Sequence, residues 1–103
     1  MTNYYISISQ RAYSNILECV SFVKNVSIEA AKELYAEIME SINSLTIYPN
    51  KYPEVNDLLI RQRKIRKMVI HKGRYIILYK VEENTVYIYD ILDSRKDNCL
   101  CLK

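Results

Sequence analysis

Apolar positions along the chain follow two different periods. Tyr4-Tyr5-Ile6-Ser7-Ile8 places Ile6 and Ile8 on one side, which predicts a short strand ending at Ser9. Tyr13, Ile16, Leu17, Val20 and Val23 then recur at three- and four-residue spacing. That spacing predicts a helix over residues 10–26 with Ser9 as its N-cap. Ala31, Leu34, Tyr35, Ile38, Met39, Ile42 and Leu45 form a second stripe, in a helix capped by Ser27. Glu29 in its first turn suits the positive end of the helix dipole. Pro49 disfavours helix at Tyr48 and ends the pattern. Only a residue or two separates the helices, so they form an antiparallel hairpin.

Residues 48–60 hold both prolines and read as a loop. Beyond them, residues 65–71, Tyr75–Glu82 and Thr85–Asp93 are rich in Ile, Val and Tyr. Lys72-Gly73-Arg74 and Glu83-Asn84 separate them and are short enough for hairpins, so three consecutive antiparallel strands follow. The order β-α-α-β-β-β predicts an α+β fold, one domain over residues 1–103. The helical hairpin packs on one face of a mostly antiparallel four-stranded sheet. The last two strands are apolar on both sides, so the second face needs a cover that two helices do not supply. A protein partner is the expected cover.

Composition narrows the class. Half of the 103 residues are apolar and 26% are charged, as in an ordinary globular chain. No apolar run approaches the ~20 residues that span a bilayer, and MTNYYISISQR lacks a basic segment followed by an apolar one. Cys19, Cys99 and Cys101 are odd in number and lack a disulfide-framework spacing, which fits a reducing compartment. The expectation is a cytoplasmic protein with free thiols. Cys99-Leu100-Cys101 and the single His71 make no zinc ligand set, and one glycine excludes a glycine-rich phosphate loop. No metal and no small-molecule cofactor is expected.

Charge is unevenly placed. Arg61, Arg63, Lys64, Arg66, Lys67, Lys72 and Arg74 fall in one stretch without an acid. The whole chain carries +3, so this stretch carries +7 and the remainder −4. Like charge on an ordered element repels itself unless an anionic partner relieves it, so phosphates or an acidic protein segment are the expected partners. The plainer reading is a solvated strand edge whose lysines block sheet-to-sheet aggregation. His71 is the one side chain that titrates near neutrality when unperturbed, and in an RNA-cleaving site it could move a proton. Tyr75, Tyr79, Tyr87 and Tyr89 can stack on bases if they face the open side, but core positions are favoured for most of them.

A family resemblance rests on Ile8-Ser9…Ala12, Tyr48-Pro49 with Tyr52-Pro53, and the strand Arg74-Tyr75-Ile76-Ile77-Leu78-Tyr79-Lys80-Val81. Val86-Tyr87-Ile88 and Ser94-Arg95-Lys96-Asp97 complete it. In this order the pieces resemble the RelE/ParE family of bacterial type II toxin–antitoxin toxins. The resemblance implies a small cytoplasmic toxin neutralised by a cognate antitoxin. It leaves two targets open: ribosome-bound mRNA, cut by RelE-like toxins, and DNA gyrase, inhibited by ParE-like ones.

If the chain is an enzyme, the resemblance implies metal-free endoribonuclease chemistry. Arg66, Lys67, Arg95 and Lys96 would then stabilise the developing charge, with His71 as a weaker candidate. Arg61, Arg63, Lys64, Lys72 and Arg74 would bind nucleic acid or the target. The RelE pattern is incomplete, because Ile76 stands directly after Tyr75 where an Arg is expected and Leu102 stands where a late Tyr is expected. The alternative is a non-catalytic member that acts as an antitoxin- or nucleic-acid-binding module.

Overall fold

A computed structural model describes residues 3–55 and 64–95. The elements are β1 (Tyr5–Ile8), α1 (Gln10–Lys24), α2 (Ile28–Ser44), β2 (Arg66–Ile70), β3 (Tyr75–Glu82) and β4 (Thr85–Asp93). A single 3-10 turn, Pro49–Lys51, interrupts the segment expected to be loop. Both helices start where a serine can satisfy free backbone donors. Ser9 Oγ accepts from the Ala12 N–H at 3.0 Å and Ser27 Oγ from the Ala30 N–H at 3.1 Å. Ser9 Oγ also donates to the Tyr89 carbonyl at 3.0 Å, which fixes the start of α1 against β4.

The four strands lie in the order β1-β4-β3-β2. β2–β3 and β3–β4 are antiparallel hairpins, and β1 returns to the far side of β4 in parallel. The helical hairpin therefore forms the crossover region over one face. Leu34, Ile38 and Ile42 of α2 and Ile16 of α1 meet Met68, Ile77, Tyr79, Val86 and Ile88 in the main core.

Helix α1 is turned relative to the expected stripe. Ala12 and Ile16 are buried, with Cys19, Val20 and Val23 partly so, while Tyr13 and Leu17 are nearly half exposed. Ala12 is small enough to let α1 lie close on the sheet, and the 12-16-19-23 row is as helical in spacing as the bulkier one. Tyr35 of α2 is likewise exposed.

The second face of the sheet is partly covered by the chain itself. Val55 and Ile65 are buried against Leu78, with Ile76 and Leu92 packed beside them. The Val55 N–H donates to the Ile65 carbonyl at 2.7 Å, the Lys67 N–H donates to the Pro53 carbonyl at 3.0 Å, and Glu54 bridges to Arg66. The outer edge of β2 is thereby occupied at its start, and the Val55–Ile65 packing removes part of the need for a covering partner. No helix among the described residues is long and apolar enough to cross a membrane.

Candidate target-binding surface

The basic stretch is divided by the strand that carries it. Arg66 and His71 stand at opposite ends of β2, about 17 Å apart along an extended chain. At the first end Arg66 shares a face with Met68 and lies opposite Tyr79. Its Nη1 donates to the Tyr52 carbonyl at 2.6 Å and to the Asn50 carbonyl at 3.4 Å, and Nη2 lies 3.7 Å from Glu54. The Tyr79 hydroxyl donates to the Pro49 carbonyl at 2.6 Å, and burial pushes this phenol up to about 12. Together Arg66 and Tyr79 fasten the Pro49–Lys51 turn to the sheet. Lys67, one residue on, lies on the opposite face across from Leu78.

The other end is a tight turn. His71 and Lys72 both adopt φ 56° and Gly73 adopts φ 87°, three left-handed residues in succession. Two of them carry a Cβ, which makes that region unfavourable, so side chains from elsewhere must hold the turn. Glu37 of α2 does so from one side: His71 Nδ1 lies 2.7 Å from Oε1, and the His71 N–H donates to Oε2 at 3.0 Å. Ser94 does so from the other, donating through Oγ to the Gly73 carbonyl at 2.6 Å and through its N–H to the Arg74 carbonyl at 2.9 Å. The Arg74 guanidinium lies 6.0 Å from the Tyr75 ring centre, and its Nε is buried without a hydrogen-bond partner among the described residues.

Arg95 follows Ser94 and is spent locally. Its Nε and Nη2 donate to Asp93 at 3.2 and 3.0 Å, and its backbone N–H donates to Asp93 Oδ1 at 2.9 Å. The Arg95 side-chain hydrogen bond holds the Asp93 carboxyl below the usual carboxylate range, against the opposing effect of partial burial. The same bond raises Arg95. Tyr75, opposite Asp93 in the ladder, is raised first by burial and then by the neighbouring Cys19.

Lys64 and Lys72 are exposed, while Arg61, Arg63 and Lys96 lie outside the described residues. Arg74, Arg95 and His71 are brought to one end of the sheet, Arg66 is not, and Lys67 faces the other way. Tyr75 and Tyr79 are core residues while Tyr87 and Tyr89 are not, so half of the four tyrosines are in the core where most were expected. Sequence reasoning missed Glu37, and it quoted Ser94 in a motif without its part in holding the turn, because the partners of both are remote in the chain. It also missed Asp90, a buried carboxylate that accepts from Asn15 Nδ2 at 2.6 Å and from the Ile91 N–H at 2.8 Å. Arg11 Nε approaches Asp90 at 3.3 Å. One acid within Tyr87-Ile88-Tyr89-Asp90-Ile91-Leu92 was the available signal. Asp90 lies in a groove of ≈ 500 Å³ between α1 and the end of β4, lined also by Phe22 and Arg95. No group of three or more His, Cys, Asp or Glu that could hold a metal gathers among the described residues.

Residues 6–98 match the family described as the ParE toxin of type II toxin–antitoxin system, parDE. The chain belongs to the ParE toxin family. Among solved structures it is similar to one titled "Chromosomal ParDE TA system from P. aeruginosa", at 14% identity and a TM-score of 0.69. That match covers 87% of this chain and 95% of the other, and at this identity it speaks for the fold. No curated protein matches the sequence. In this ParE-family chain the described part of the basic stretch is thus divided, with Arg66 in a structural role at one end of β2, Lys67 on the other face, and Lys72 and Arg74 at the turn.

Proposed function

We infer that this ParE-family chain inhibits growth by binding DNA gyrase without cutting nucleic acid, and that a cognate antitoxin neutralises it. The observation that carries the reading is the division of the basic stretch. General acid–base cleavage needs its groups within hydrogen-bond reach of one phosphodiester. Here Arg66 is engaged by the Tyr52 carbonyl, His71 by Glu37 and Arg95 by Asp93, and Arg66 stands a strand's length from the other two. Exposed Lys64 and Lys72 suit electrostatic docking better than chemistry.

Inducing the chain alone should arrest growth, and a small acidic protein encoded beside it should restore growth. During arrest, supercoiling by gyrase should fall while primer extension on mRNA finds no new 5′ ends. Charge reversal at Lys64 and Lys72 should weaken the arrest without unfolding the chain. New mRNA ends during arrest would favour the RelE-like mechanism. Normal growth at good soluble expression would favour the non-toxic binding module.

A further inference from the structure

The helix-free face of the sheet has two halves. Around Leu78, Ile76 and Leu92 it is covered by Val55 and Ile65, while Lys67 and Lys80 stay partly exposed beside that cover. Over β1 and the first part of β4 the described residues leave it exposed. Tyr5, Tyr87 and Tyr89 alternate with Ile6, Val86 and Ile88, which enter the core, so the three rings stand on the same side. They are 73%, 44% and 45% exposed.

Their spacing is set by the ladders. Tyr87 pairs with Ser7 of β1, which places Tyr5 one diagonal away. Tyr89 is two residues along β4, about 7 Å on, at a register shift that leaves it without an opposite residue on β3. Lys80 pairs with Tyr87 on the other side, and Lys67 occupies the same face on β2. Lys80 lies 3.2 Å from Glu82, while Lys67 makes no ion pair among the described residues.

The neighbours of the rings decide between occupants. An aromatic anchor for a protein partner sits within an apolar, well-packed patch. This row is flanked by Ser7, Thr85 and the ion pair of Lys80 with Glu82, which are polar or charged. Spaced π faces beside ammonium groups match unstacked bases with their phosphates alongside. A duplex keeps its bases stacked and offers the rings nothing to hold.

We propose that Tyr5, Tyr87 and Tyr89, with Lys67 and Lys80, form a stacking platform for single-stranded nucleic acid. This activity goes beyond the gyrase reading and does not depend on it. Fluorescein-labelled oligo(U) and oligo(dT) of about eight nucleotides, a length within the range of compact single-strand binders, are titrated with the full chain and followed by anisotropy. A DNA duplex of the same length serves as the comparison.

Single strands should bind more tightly than duplex, and the chain's tyrosine emission, free of any Trp, should be quenched on binding. Tyr87→Leu should weaken binding roughly tenfold, and Tyr87→Phe should keep it. Lys67→Gln should lower the slope of log affinity against log salt by about 0.7. Tyr35→Leu, on the exposed side of α2, should change nothing. Equal affinity for duplex, or a natively folded Tyr87→Leu chain that binds like the parent, would overturn the proposal. Absent binding with growth arrest intact would also overturn it, leaving the gyrase reading standing.

Discussion

Glu37 holds His71 at two points, with one carboxylate oxygen 2.7 Å from the ring Nδ1 and the other accepting the backbone N–H at 3.0 Å. The pair joins the middle of α2 to the turn between β2 and β3. That turn presents Lys72 at its tip, so the position of an exposed cation depends on a helix residue far away in sequence.

Glu37→Ala should therefore loosen the turn more than it unfolds the chain. Both side chains are over 40% exposed, so the expected loss is about 1 kcal/mol or less, a fall of roughly 5 °C in melting temperature. Amide exchange at His71–Arg74 should rise well beyond that of the central strands. Unchanged exchange there would mean Ser94 alone holds the turn.

Arg66 has a structural task, and its removal should behave accordingly. Arg66→Ala leaves the Tyr52 carbonyl without its charged donor and should cost about 2 kcal/mol by urea unfolding. Lys64→Glu, at an exposed site, should stay within about 0.5 kcal/mol of the parent. If both affect growth arrest, only the first should do so through reduced abundance of folded chain.

Tyr79 gives an alkaline signature. Its folded value of about 12 lies above the ordinary value of 10.0, so the protonated phenol favours the fold. This contribution is complete below pH 10 and declines as pH rises towards about 12. Tyr79→Phe should remove the decline and cost about 1–2 kcal/mol at neutral pH, because the Pro49 carbonyl loses its donor. Urea midpoints measured across the alkaline range check both.

Asp93 gives the opposite slope at the acid end. Its folded value lies below the ordinary 3.8, so the charged carboxylate favours the fold above that pH. The contribution is lost as pH falls through the lowered value. Arg95→Ala should return Asp93 towards its ordinary range, visible in a carboxyl carbon titration by NMR.

The turned face of α1 is also open to test. Ile16→Ala should cost about 2–5 kcal/mol, as a fully buried aliphatic does. Leu17→Lys should stay within about 0.5 kcal/mol, because that side chain is already nearly half exposed. The reverse ranking would restore the Tyr13–Leu17 stripe as the core face.

Local chemistry made much of this fold legible. Ser9 and Ser27 mark helix starts because a capping hydroxyl acts within three residues. β3 and β4 were bounded by Gly73 and Asn84 because hairpin turns are local too. What stayed hidden depends on remote partners. The face of α1 was ambiguous between two helical rows, and only contact with the sheet selects Ala12 over Tyr13. Alternation along β2 already separates Arg66 from Lys67, but linear spacing does not show that Arg66 is engaged by the Tyr52 carbonyl and His71 by Glu37. Glu37 looked like any exposed helix acid until His71 was brought beside it.

The parallel pairing of β1 with β4 also orders events during synthesis. Tyr5 has Thr85 as its ladder partner, so β1 must wait for the distant β4. Until β4 emerges, β1 has no ladder and the helical hairpin has only part of the sheet to cover. Long-range closure of this kind is slow and comes late. The four-stranded sheet of this ParE-family chain is therefore complete only once β4 can serve β1 and β3 together.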